Sequence, residues 1–276
     1  MTTADAVEFQ YDQRDQRDQR DETGDVLSKV PYVTLAFWVV KILATTLGET
    51  GGDALSMTLK LGYAVSTLIF LAFFVVTLFA QLGSKHYHPV FYWAVVVATT
   101  TVGTTTSDYI DRTLGLGYVK SSAILLALVI AVLIVWHLTT GRIVVDRVIS
   151  RRDEAFYWVT ILVSNTLGTA LGDFAATSTG LGFQRGALVF AALIAIVAAL
   201  HVLTDIPTGV LFWAAYVLTR PLGATLGDTL TKPHAQGGLN LSRITSSLVI
   251  AVLMVLLVSV TSLRKRGKLG DTATHP

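Results

Sequence analysis

Eight stretches of this chain are apolar for about twenty residues, near 31–50, 62–82, 89–107, 118–138, 154–172, 183–203, 207–227 and 241–263. A bilayer core about 30 Å thick needs about 20 such residues per helix. The stretches alternate in character. The first, third, fifth and seventh are rich in Thr, Gly and other small residues. The even ones are plainer and more apolar, as in 125–135 and 249–260. Lipid supplies no hydrophobic force between helices, so small residues mark where helix backbones approach closely. The pattern predicts an all-α polytopic membrane protein with eight transmembrane helices. The odd helices are expected to form an inner ring and the even helices an outer ring.

One motif recurs at the end of each odd stretch: Trp, nine residues, Gly, three residues, Gly or Ser, then Asp. The copies are Trp38–Gly48–Gly52–Asp53, Trp93–Gly103–Ser107–Asp108, Trp158–Gly168–Gly172–Asp173 and Trp213–Gly223–Gly227–Asp228. A second marker follows each Asp: Leu61-Gly62-Tyr63, Leu116-Gly117-Tyr118, Leu181-Gly182-Phe183 and, after a short insertion, Leu239-Asn240-Leu241. The motif glycines are 55, 65 and 55 residues apart, so copies one and three, like two and four, are separated by 120. This reads as a two-helix hairpin repeated four times, through a four-helix unit that was itself duplicated. Two spans per repeat make all four repeats parallel about an axis along the membrane normal. The repeats are expected near 31–83, 89–140, 153–203 and 207–263.

Composition agrees. The chain is 52% hydrophobic and 14% charged, with a mean hydropathy of +0.59, against about 25% charged in soluble domains. A net charge of +2 gives no reason to expect nucleic-acid binding, and the absence of Cys excludes disulfides, thiolate metal sites and Cys nucleophiles. Residues 1–28 are polar and contain DQRDQRDQRD, which predicts a disordered tail and not a signal peptide. Residues 264–276 read as a basic tail. Thirteen loop Lys and Arg fall on the side of the termini and six on the other, namely Lys60, Arg112, Lys120, Arg185, Lys232 and Arg243. That bias predicts a multi-pass protein of the plasma (inner) membrane with both termini cytoplasmic. Trp38, Trp93, Trp158 and Trp213, together with Trp136, would then be interface anchors near the cytoplasm. The four Asp would sit toward the outer end.

The repeat resembles a bacterial membrane-protein family built from four tandem repeats of unknown function, each with two transmembrane segments and a Trp. The likeness covers about residues 30–263 and rests on the four motif Trp. It implies topology and little chemistry. A fainter likeness is to manganese and calcium exporters with a Glu-x-Gly-Asp motif. Here Glu49-Thr50-Gly51-Gly52-Asp53 has one residue too many, and Thr104, Thr169 and Ala224 replace the Glu in the other copies.

The small pairs Gly48/Gly52, Gly103/Ser107, Gly168/Gly172 and Gly223/Gly227 lie one turn apart and are expected to pack helices, unless the stretch unwinds as in broken transporter helices. Three residues before each first Gly stands Thr45, Thr100, Asn165 or Arg220, with Lys41 one turn deeper in copy one. These residues share the face of the small pair. With Glu49 and the four Asp they form the candidate substrate site, formally −3. Carboxylates and hydroxyls suit hard cations such as Mn²⁺, Mg²⁺ or Ca²⁺, or protons, and the candidate metal ligands are Asp53, Asp108, Asp173 and Asp228. Asp111 and Arg112 read as a solvated loop pair. His86, His88, His137, His201 and His234 have no ligand spacing.

The leading expectation is a secondary transporter or exporter of a small cation. The alternative is a structural or sensory membrane protein. An intramembrane enzyme fits least: His-Glu-x-x-His, Gly-x-Ser-x-Gly and Gly-x-Gly-Asp are all missing, and no catalytic residue is assigned. The sequence carries no cofactor or ATP-binding motif. The expected partners are the lipid bilayer and a small cation or proton; oligomeric state stays open.

Overall fold

The computed structural model describes residues 29–84, 86–141, 143 and 150–272. The expected tail at 1–28 and most of the connector between the second and third repeats lie outside the described residues. Among the described residues eight long helices follow one another: α1 (Leu35–Asp53), α2 (Gly62–Gly83), α3 (Pro89–Asp108), α4 (Tyr118–Thr140), α5 (Arg151–Asp173), α6 (Gly182–Leu203), α7 (Thr208–Thr231) and α8 (Arg243–Thr272). The backbone of α8 continues helically through the basic segment to Thr272.

Local chemistry sets the ends. Thr34 caps α1 by accepting from the Phe37 amide at 3.2 Å, and Ser150 caps α5 by accepting from the Asp153 amide at 3.0 Å. Pro89 opens α3, where its missing N–H costs nothing. After Asp53, Asp108 and Asp173 the helix widens into five π-helical residues before the turn. The second sequence marker then adopts positive φ in every copy: +75° at Gly62, +77° at Gly117, +75° at Gly182 and +55° at Asn240. Asn tolerates that region better than other side chains, so the fourth copy keeps the geometry without Gly.

The odd helices close into a ring in the order α1, α3, α5, α7 and back to α1, and the even helices pack outside. The even helices bury few residues; α2 buries only Ser66, Phe74 and Gln81. Leu68, Val76 and Phe79 on α2, like Leu188 and Val202 on α6, are exposed as lipid-facing side chains. Among the described residues five helical stretches are long and apolar enough to cross a membrane by composition: α2, α4, α6, the α8 segment Arg243–Leu263, and Arg151–Ser178, which holds α5. The other odd helices carry polar residues on the inward face, which lowers their hydropathy while the outer ring shields them. The chain is a multi-pass membrane protein.

The hairpin expectation needs a correction. Each even helix packs chiefly on the odd helix of the next repeat: α2 on α3, α4 on α5, α6 on α7, and α8 back on α1. The repeats therefore clasp one another around the circle.

The motif glycines run through continuous helix, so the unwound alternative is excluded. Each first Gly meets the next odd helix closely enough to forbid a side chain. A Cβ at Gly103 would stand 2.9 Å from the carbonyl carbon of Asn165, one at Gly48 3.0 Å from that of Thr100, and one at Gly223 2.9 Å from that of Thr45. At Gly168 it would meet Pro221 Cδ at 3.0 Å. The second position repeats the rule, Gly52 against Thr104, Gly172 against Ala224 and Gly227 against Glu49. Hydroxyls tie the same seams: Thr100 donates to the Ala44 carbonyl at 3.1 Å and Thr45 to the Thr219 carbonyl at 3.2 Å.

Gly51, by contrast, has nothing within 4 Å of a built Cβ. Gly223→Ala is expected to destabilise the purified protein by about 1–3 kcal/mol through overpacking, while Gly51→Ala stabilises it by about 0.5–1 kcal/mol through helix propensity. Thermal unfolding of both variants in detergent checks this; equal effects would contradict the seam assignment.

Candidate functional site

Four residues advance 400° around a helix, so a row at i, i+4, i+8 stays on one slowly turning ridge. Each odd helix turns such a ridge toward the ring axis. In α1 it reads Phe37, Lys41, Thr45, Glu49, Asp53. In α3 it reads Tyr92, Val96, Thr100, Thr104, Asp108. In α5 it reads Tyr157, Ile161, Asn165, Thr169, Asp173, and in α7 Phe212, Tyr216, Arg220, Ala224, Asp228. All twenty side chains are buried. The axis is thus filled by five layers of four residues.

The first layer is aromatic. Phe37, Tyr92, Tyr157 and Phe212 each touch the motif Trp of a neighbouring repeat: Phe37 with Trp93 at 5.7 Å, Tyr92 with Trp158 at 5.6 Å, Tyr157 with Trp213 at 5.9 Å and Phe212 with Trp38 at 5.6 Å between ring centroids. Tyr92 and Tyr157 also share a 2.7 Å hydroxyl–hydroxyl hydrogen bond. The expected interface anchors are corrected here. Trp93, Trp158 and Trp213 are buried, Trp38 is half-buried, and fully buried Trp136 donates to Asp153 Oδ1 at 3.1 Å. A belt Trp keeps its polar edge in the headgroups; these rings pack between helices, where each aromatic pair contributes about 0.5–1.5 kcal/mol. The layer seals the Trp end. Its signal was present in the sequence, since the residue before every motif Trp is Phe or Tyr.

Above it, Lys41 in layer two lies 4.1 Å from the centre of the Tyr216 ring and 3.5 Å from Asn165 Oδ1. Asn165 in turn donates to Thr99 Oγ1 at 3.0 Å. Arg220 spans layers three and four. Its Nη2 lies 3.0 Å from Glu49 Oε2, donates to Thr169 Oγ1 at 2.6 Å and also contacts Thr104 Oγ1. Layer four holds Glu49, Thr104 and Thr169, and Ala224 leaves the room that the guanidinium uses. Thr45 and Thr100 face the axis region but spend their hydroxyls on backbone carbonyls, so the structure places them in the seams rather than toward a ligand.

The fifth layer carries the four Asp, all at most 3% exposed. They are not equivalent. Arg112 links Asp108 at 2.9 Å with Asp173 at 3.2 Å. Lys232 links Asp228 at 3.1 Å with Asp53 at 2.9 Å, and Arg243 reaches Asp53 at 3.4 Å. Each bridging cation sits four residues after the Asp of its own repeat and reaches across to the Asp of the next. Copies one and three have Met57 and Thr177 at that position. The ring of four is therefore two bridged pairs with twofold character. Burial opposes the charged form of Lys232, which lies beyond α7, but Asp228 and Asp53 raise it well above the ordinary lysine value, so its ammonium persists.

Three further expectations change. Arg112 is exposed, but it lies in the π-helical turn and pairs with Asp108 and Asp173 instead of Asp111, which is buried and accepts from Ser107 at 3.2 Å. The formal −3 balance disappears, because Arg112, Lys232 and Arg243 join Lys41 and Arg220 against the five carboxylates. Four Asp do not converge as metal ligands. The carboxylates brought together are Glu49, Asp53 and Asp228, with an oxygen of each within 4.8 Å of the others, while Asp108 and Asp173 belong to the Arg112 pair.

The comparisons fit this architecture. The family model described as Repeat of Unknown Function (DUF347) matches residues 36–87, 91–142, 156–206 and 211–266. The chain belongs to that family. Its matched repeats each contain one odd and one even helix, and the ring shows how four of them close. No curated protein and no solved structure matches.

Arg220→Met leaves Glu49 buried without its cation and is expected to cost about 3–5 kcal/mol, as is typical when one partner of a buried pair is removed. The double variant Arg220→Met/Glu49→Gln should be less damaged than Arg220→Met alone. Unfolding of the single and double variants in detergent measures this, and strictly additive losses would contradict a coupled pair.

Proposed function

We propose that the protein is a secondary transporter of a small cation, operating in the inner membrane through the Asp end of the ring axis. The observation that carries the reading is the buried row of ionisable side chains along the axis. Ionisable groups at membrane depth are expensive to hold there, and proton and ion pathways are where they recur. Glu49, Asp53 and Asp228 supply hard oxygen donors suited to a divalent cation or a proton. In this reading the Lys232 ammonium holds the site when no cargo is bound, and a cation entering from the Asp side takes its place. Arg112 keeps the other pair together, since a guanidinium forms the more rigid, permanently charged bridge. The aromatic layer closes the opposite end.

In this reading both termini are cytoplasmic, as the Lys/Arg bias of the loops suggests. No enzymatic activity is proposed. A scaffold or sensory role is favoured by one observation, that every motif Asp already has a cationic partner.

Flux of Mn²⁺ and of protons into liposomes separates the two readings. Transport predicts cation uptake by the intact protein, reduced roughly tenfold or more in Asp53→Asn and Asp228→Asn, the equivalent of about 1.4 kcal/mol or more. Exposed Asp205→Asn should leave it unchanged. No cation flux by the folded protein would favour the scaffold.

A further inference from the structure

Several buried polar atoms among the described residues have no partner. On the inner ridge of α7 these include Arg220 Nε and Nη1 and the Tyr216 hydroxyl. Lys41 lies beside this ridge. It is fully buried, and among the described residues no carboxylate comes within ion-pair distance of it. Its neighbours are the Tyr216 ring at 4.1 Å and Asn165 Oδ1 at 3.5 Å, neither of which carries a negative charge. Glu49, the nearest carboxylate along the ridge, is already engaged by Arg220 Nη2.

An ammonium without a counter-charge in a membrane interior costs several kcal/mol. Tyr216 and Arg220 lie one turn apart on the same ridge of α7, and Lys41 stands over that ridge from α1. A single negative charge between them would answer Lys41 and also the two idle guanidinium nitrogens.

We propose that Lys41 and Arg220 form a binding site for a small inorganic anion of halide size, in the middle of the bundle. The tight seams around Thr45, Thr100 and Asn165 argue for an ion of that size over an organic acid. The site is separate from the Asp-end carboxylates, and the inference does not depend on cation transport.

The test is thermal unfolding of the full chain in detergent at fixed sodium, with gluconate replaced stepwise by chloride or bromide. An ion at concentration c that binds only the folded protein stabilises it by RT ln(1 + c/Kd), so the unfolding temperature is flat well below Kd and then climbs with the logarithm of the ion concentration. The expected result is that logarithmic rise for the unaltered protein, kept by Lys41→Arg and lost in Lys41→Met. No such rise in the unaltered protein overturns the proposal, as does one that survives in Lys41→Met. Should Lys41→Met fail to fold, the titration of the unaltered protein and of Lys41→Arg decides: absence of the rise in the unaltered protein overturns the proposal, and the rise in both supports it. Cation flux through the Asp end is measured on a different sample and is unaffected by either result.

Discussion

The contact between a motif glycine and the backbone of the next odd helix governs the rest of this structure. Nothing in lipid pulls helices together by apolarity alone, so close packing and hydrogen bonding must do it. Gly48, Gly103, Gly168 and Gly223 each remove the side chain that would hold the neighbour away, and the neighbour's residue at the matching height takes the space. The contact is heterologous, from one repeat's face to the next repeat's different face, and four such contacts close a circle. The even helices follow the same direction, each covering the next repeat.

Closing the ring that tightly buries the side chains on the inner ridges. Any charge there must find its opposite inside the protein. Arg220 with Glu49, Lys232 with Asp53 and Asp228, and Arg112 with Asp108 and Asp173 meet that demand, and Lys41 does not. The departures from fourfold symmetry are thus chemically linked. Ala224 makes room for the Arg220 guanidinium among Glu49, Thr104 and Thr169. Met57 and Thr177 stand where Arg112 and Lys232 stand in the other copies, so each cation serves two Asp.

Much of this was legible in the residues. The eight helices, the inner and outer rings and the packing role of the glycines follow from the alternation of small-rich and apolar stretches. The positive-φ turn is visible as Leu-Gly-Tyr and survives as Leu-Asn-Leu. The pairing of the Asp was not read, because Arg112 and Lys232 lie past the apolar stretches and look like loop charges. Their spacing of four from Asp108 and Asp228 was the available signal, since residues four apart share a helix face. The burial of Trp93, Trp158 and Trp213 was missed for a different reason. Trp near a helix end usually reports the membrane interface, and only the aromatic residue preceding each one shows that these rings face one another. Which even helix covers which odd helix is set by tertiary packing and has no local signature.

The claim that ties these features to function is that a cargo cation takes the place of Lys232 on Asp53 and Asp228. The most direct measurement is a density map of the protein in lipid nanodiscs with excess Mn²⁺, using the anomalous or element-specific signal to locate the metal. The account predicts metal among Glu49, Asp53 and Asp228, with the Lys232 side chain withdrawn and the Arg112 bridge intact. Lys232 still spanning both carboxylates, with no metal between them, would contradict it.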